Sequence, residues 1–105
     1  MLRMQHSAKL TLFTRVNCSL CVPVKASIAE VQKRRPFTYQ EIDVMAYGQE
    51  KWKSSYEFEV PVLHVERIFH TYSKPDIISE PRKLMHRFTE KDIEKLIDEA
   101  EAGLT

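Results

Sequence analysis

A chain of 105 residues has room for one domain, here spanning residues 1–105, and not for a linker and a second core. Its 43% hydrophobic and 30% charged residues are those of an ordinary soluble protein, and 16 Lys and Arg against 15 Asp and Glu leave a formal charge of +1, which provides no global field for nucleic acid or an anionic membrane. The 2 glycines are too few for a phosphate-cradling loop, and the 2 cysteines, Cys18 and Cys21, are too few for a secreted disulfide scaffold.

Residues 1–8 read as a frayed terminus. Arg3, His6 and Lys9 without an acidic neighbour have the charge of a mitochondrial leader, but nine residues are very short for one. No apolar run reaches the roughly 18 residues of a bilayer span, so the expected address is the cytoplasm, with the mitochondrion as the alternative. Leu10 to Phe13 is short, apolar and suited to a buried strand. Beyond a polar stretch, Leu20, Val24, Ile28 and Val31 recur at helical spacing and predict a helix from Leu20 to Arg34. Pro23 fits its first turn, where N–H groups have no intrahelical partner.

Pro36 ends that helix, and Phe37 to Val44 has the β-branched and aromatic content of a second strand. A strand, helix and strand in so few residues make a right-handed crossover between parallel strands, which puts Cys18 and Cys21 at the carboxyl edge of the sheet. Tyr47 to Glu57 reads as a short helix, with Trp52 and Tyr56 as packing residues four apart. Val60 to Val65 is a strand opened by Pro61, with Lys83 to Phe88 as its hairpin partner. Pro75 and Pro81 make residues 72–82 an extended loop, read first as a tolerated insertion and second as a partner-contact surface. Ile93, Leu96, Ile97 and Ala100 stripe a final helix, with Thr89 and Asp92 as its capping pair and Gly103 at its C-terminal end. Lys33, Arg34 and Arg35 read as a solvated helix end. The order β-α-β-α-β-β-α packs helices on both faces of a small mixed sheet.

Residues i and i+3 at a helical turn share a face, close enough for a disulfide to form and open. At a helix N-terminus the exposed N–H groups and the dipole favour a thiolate, and the first cysteine gains more than the second. Cys18 is therefore the expected nucleophile, and Cys21 the thiol that resolves the mixed disulfide.

The Cys-x-x-Cys at the head of a helix, Glu41-Ile42-Asp43-Val44 on the second strand, and Trp52 to Tyr56 leading into Val60-Pro61-Val62 resemble the glutaredoxin branch of the thioredoxin-like proteins. Within that branch the chain resembles a group of short glutaredoxin-like proteins, and Met85-His86-Arg87 looks like its fourth strand. The resemblance implies an α/β thioredoxin-like fold of glutaredoxin type with a four-stranded mixed sheet, and a cis Val60–Pro61 bond beside the dithiol where the Val60 backbone pairs with an extended substrate. It also places Arg15 where many glutaredoxins are basic. It implies a disulfide-containing protein or a glutathione mixed disulfide as partner, glutathione as reductant, no tightly bound cofactor, no resident metal, and action as a monomer. Two positions depart from the pattern: Ser19-Leu20 replaces Pro-Tyr between the cysteines, and Phe88-Thr89-Glu90 stands where a Gly-Gly pair holds glutathione.

Two other readings stay open. Cys18 and Cys21 are half of a zinc or iron-sulfur site if His6, His64, His70 or His86 completes it, although His64 and His70 lie about 20 Å apart along a straight strand. Alternatively the scaffold is a redox-weak binding module that presents the Val60–Pro61 edge and the 72–82 loop to a protein.

Overall fold

The computed structural model describes residues 8–69, 77–78 and 80–102. His6, His70, Gly103 and most of the 72–82 segment, on which several expectations fall, lie outside the described residues. The elements in chain order are β1 (Ala8–Thr14), α1 (Cys21–Arg34), β2 (Thr38–Asp43), α2 (Glu50–Tyr56), β3 (Val62–Phe69), β4 (Ile77–Ile78), β5 (Arg82–Met85) and α3 (Glu90–Ala102). The sheet runs β2-β1-β3-β4, with β5 also paired to β3. β2 is parallel to β1, whereas β3 is antiparallel to it, with Phe13 opposite Val62. The mixed α/β arrangement is the expected one, with β4 added as a two-residue strand beside Ile68 and Phe69.

Alternation along the strands divides the core. Ala8, Leu10 and Leu12 of β1 and Leu63 and Val65 of β3 meet Val24, Ile28 and Val31 of α1 and Ile93, Ile97 and Ala100 of α3. On the other face Phe13 and Val62 meet Tyr56 and Trp52 of α2. Burying one such Ile or Phe side chain contributes about 1.5–3 kcal/mol, so the two clusters hold a helical layer on each side of the sheet. Trp52 and Tyr56 are thereby packing residues, with the Phe13 and Trp52 ring centroids 4.5 Å apart.

The differences at element ends have local causes. Ala8 belongs to β1 and is fully buried, because β3 continues past Val65 and pairs Ala8 with Arg67. α2 starts at Glu50 rather than Tyr47: the preceding residues form turns in which Asp43 accepts from the Met45 and Ala46 N–H groups, and Gly48 has φ 88°, a left-handed conformation no helix contains. β5 stops at Met85 because His86 has φ 67°, which breaks the ladder and turns Phe88 into the core. Thr89 and Asp92 do cap α3 reciprocally, with the Thr89 N–H 2.9 Å from the Asp92 carboxylate and the Asp92 N–H 3.3 Å from Thr89 Oγ1.

The basic end of α1 is exposed at Lys33 and Arg34, as expected, but its arginines are also tied down. Arg34 pairs with Glu90 and Glu94, and Arg35 with Asp98 and Glu101 at 2.8 Å each, so these arginines clasp α1 to α3. Sequence spacing within one helix gives no sign of this contact, which exists only once the two helices are adjacent. Arg35 is the less exposed of the two, and Arg35→Met is expected to cost about 1 kcal/mol in urea denaturation. Lys33→Met, which removes only the exposed pair with Glu30 on the same helix, should leave the midpoint nearly unchanged.

Candidate active site

β1 ends at Thr14, and the chain turns through an exposed loop before α1 begins. Asn17 takes φ 63°, a conformation that asparagine tolerates better than most residues, and this turn delivers Cys18 to the loop just ahead of the helix, three residues before its first residue Cys21. Cys18 and Cys21 form a disulfide with Cα atoms 5.3 Å apart. Their environments differ: Cys18 is half-buried, whereas Cys21 is 3% exposed and packs beneath it. The Cys21 N–H points at Cys18 Sγ over 3.1 Å and at the Cys18 carbonyl over 3.1 Å. The first turn of α1 carries no acidic residue, so nothing on the helix itself offsets its positive end.

A groove of about 470 Å³ opens over the pair, lined by Arg15, Val16, Cys18, Cys21, Val22 and Lys25 among others. Arg15, expected near the dithiol, lines this groove and also reaches across to the α2–β3 connection. Its Nη1 donates to the Glu57 carbonyl over 3.1 Å and lies 3.8 Å from the Glu57 carboxylate. Lys25 was not singled out by the sequence, although its place one turn after Cys21 on the same helical face is a signal that could have found it. Its ammonium lies 3.5 Å from Glu41 on β2.

The Val60–Pro61 bond is cis. It immediately precedes β3, and because Val62 pairs with Phe13, this bend stands at the same end of the sheet as the dithiol loop. The Val60 N–H donates to the Tyr56 carbonyl over 3.2 Å, and the Pro61 carbonyl accepts from the His86 N–H over 2.8 Å. A contact that sequence reasoning missed closes the bend from outside: His86 Nε2 lies 2.9 Å from the Glu59 carboxylate.

The two departures in sequence have distinct structural effects. Ser19 lines the dithiol groove, while Leu20 turns to a separate cavity of about 270 Å³ with Pro23, His86, Phe88 and Asp92. At the second departure, Phe88 is buried and the Asp92 carboxylate is engaged by the Thr89 N–H and hydroxyl, which hold it below the usual carboxylate range. Among the described residues no group of three or more His, Cys, Asp or Glu is placed to hold a metal ion. His64 packs among Phe13, Trp52 and Tyr56 on the α2 face, and His86 is engaged by Glu59.

The family model described as the glutaredoxin-like domain (DUF836) matches residues 9–98, from β1 into α3. The chain belongs to the glutaredoxin-like domain family. Protein Ne2328 from Nitrosomonas europaea, solved by NMR, is 25% identical, with all of each chain covered and a TM-score of 0.57. Oxidised thioredoxin O2 from Arabidopsis thaliana gives 0.61 at 16% identity, with 89% of this chain and 74% of that one covered. Thioredoxin-2 of the malaria parasite gives 0.64 at 13% identity, covering 94% and 88%. This glutaredoxin-like domain thus has the thioredoxin fold, with a disulfide-forming cysteine pair at the head of its first helix. No helix among its described residues is long and apolar enough to cross a membrane.

Proposed function

We propose that this glutaredoxin-like domain is a thiol-disulfide oxidoreductase in which Cys18 attacks and Cys21 resolves. The observation that carries the reading is the Cys21 N–H directed at Cys18 Sγ on the accessible side of the helix start, with Cys21 buried behind it. An N–H pointed at sulfur stabilises the anion more than the neutral thiol, and the helix dipole acts in the same direction.

In the reduced protein the Cys18 thiolate attacks one sulfur of a substrate disulfide, forming a mixed disulfide and expelling the other half as thiolate. Cys21 then loses its proton and attacks Cys18 Sγ. The second substrate thiolate leaves, and the Cys18–Cys21 bond forms; an external dithiol or two glutathione thiols return the pair to the reduced state. No tightly bound cofactor is required. The substrates are a disulfide-containing protein or a glutathione mixed disulfide, and the domain acts as a monomer in the cytoplasm or the mitochondrion. Arg15 and the Val60–Pro61 bend border the bound substrate. Since the Val60 N–H is already used, the Val60 carbonyl is the backbone group that meets an extended partner.

The rate of iodoacetamide alkylation of Cys18 against pH, followed by peptide mass, tests the activated thiolate. An apparent pKa below the ordinary cysteine value of about 8.5 is expected, and a value at or above it overturns the reading.

A further inference from the structure

The inward side chains of β1 and α1 form one layer in which a single member carries a hydroxyl. Along β1 the alternation that points Ala8, Leu10 and Leu12 toward α1 ends on Thr14, and the buried stripe of α1 is Cys21, Val24, Ile28 and Val31. Because α1 runs back along β1, the last residue of the first set falls beside the first of the second, and Thr14 and Cys21 line the same groove. Thr14 is 7% exposed, its main chain is held by the Val44 N–H on its carbonyl, and its Oγ1 has no hydrogen-bond partner among the described residues. Thr11, likewise buried, has one: its hydroxyl accepts from Gln40 Nε2 over 3.2 Å. A buried hydroxyl without a partner disfavours the state in which it occurs. With the disulfide closed, Cys21 Sγ carries neither a proton nor a charge and offers this hydroxyl little.

We propose that the Thr14 hydroxyl serves the reduced state, in which it donates to Cys21 Sγ and readies that sulfur for the resolving attack. The proposal rests on the redox reading above and adds a residue to its second step. In that step the Cys21 thiol gives its proton to solvent, and the thiolate forms a bond to Cys18 Sγ. The mixed disulfide bond breaks, and the substrate half leaves with the electron pair as a thiolate, with no other oxidant or reductant involved. A hydroxyl proton held against the sulfur favours thiolate over thiol, because a hydrogen bond to a charged acceptor is the stronger one. Cys18 is served by the Cys21 N–H, 3.1 Å away, and Thr14 is the corresponding donor for Cys21.

The test compares the wild type with Thr14→Val, which removes the hydroxyl and keeps the branched shape, and Thr14→Ser, which keeps the hydroxyl. Reduced protein is mixed rapidly with excess bis(hydroxyethyl) disulfide and quenched with acid at intervals, and the Cys18 adduct is followed by intact mass. The adduct should form at the same rate in all three proteins. Its decay should be about tenfold slower in Thr14→Val, with the rise of the decay rate displaced upward by about one pH unit, and close to wild type in Thr14→Ser. The charges at the groove, Arg15 and Lys25 with their partners Glu57 and Glu41, are common to all three proteins and cannot produce that displacement. At equilibrium with glutathione buffers, the Thr14→Val couple should be about tenfold harder to reduce, a potential about 30 mV more negative. In urea, Thr14→Val should be at least as stable as the wild type when oxidised and less stable when reduced.

An adduct that decays as fast in Thr14→Val as in the wild type would overturn the proposal. A decay slowed as much in Thr14→Ser would do the same, by assigning the effect to packing. Slower formation of the adduct in Thr14→Val would assign the hydroxyl to Cys18 and overturn it as well. The wild type keeps this proposal and the redox reading apart. If no adduct forms on its Cys18, the redox reading fails and the proposal with it; if the adduct forms and resolves regardless of Thr14, the proposal alone fails.

Discussion

Cys18→Ser is expected to reduce disulfide exchange by at least about a thousandfold, because it removes the only half-exposed sulfur at the helix start and leaves Cys21 buried beneath it. Cys21→Ser should behave differently. It leaves the first attack intact and removes the resolving thiol, so the mixed disulfide on Cys18 should accumulate to near stoichiometric yield. The stable adduct would be seen as a mass increase equal to one half of the disulfide supplied. Serine keeps the N–H at position 21, so the donor that is 3.1 Å from Cys18 Sγ is retained. If Cys21→Ser lost the first attack as fully as Cys18→Ser, the assignment of roles would be wrong. If Cys21 rather than Cys18 carried the adduct in the unsubstituted protein, the roles would be reversed.

The place of the cysteine pair was legible in the sequence because it depends on local order. A strand, a polar turn, a proline-tolerant helix start and a second strand place Cys-x-x-Cys at the sheet edge whatever the rest of the chain does. The helical stripes on α1 and α3 and the Thr89–Asp92 cap were legible for the same reason, since each is set within one element. Contacts between elements were not. The Arg15 contact with Glu57 spans 42 positions and the Arg35 contact with Glu101 spans 66, and no periodicity links such pairs. The His86 clamp on Glu59 is a further case. It depends on a left-handed φ at a non-glycine residue, which composition does not announce. The cis Val60–Pro61 bond was expected only through resemblance, since X-Pro bonds in folded proteins are cis only about 5–6% of the time.

The candidate site follows the same division. Its two sulfurs are written in four consecutive residues, but the charges around it come from several elements. Lys25 and its partner Glu41 meet because β2 lies beside β1 and α1 crosses above them. Ser19 and Leu20, adjacent in sequence, face different cavities on either side of the helix start. The motif places the two sulfurs, and the packing of neighbouring elements sets the charges around them.

Stability should fall steeply as pH drops from about 6.5 to 4, and His64 is the cause. On β3 it stands between Thr11 of β1 and Lys83 of β5, 6% exposed, with Phe13, Trp52 and Tyr56 around the ring and Nε2 2.8 Å from the Tyr56 hydroxyl. Burial, aided by the Lys83 ammonium, pushes its pKa down to about 4. The unfolded chain protonates His64 near pH 6.5, whereas the folded chain does not until near 4. Above 6.5 both states are neutral and the group adds no pH dependence. Below it the unfolded state binds the extra proton, so folding stability declines through the window by about 3 kcal/mol in all. Glu66 works against this: burial raises its pKa, so its protonation at low pH favours the folded chain. The double variant His64→Leu/Tyr56→Phe removes the histidine together with the hydroxyl it would strand, and it keeps Glu66. Urea denaturation at intervals from pH 7 to 4.5 should show the wild type losing stability with the slope of about one proton below pH 6, while the double variant stays flat or rises. Parallel curves would mean that His64 is protonated in the folded protein as readily as in the unfolded chain, and the buried neutral imidazole would have to be abandoned.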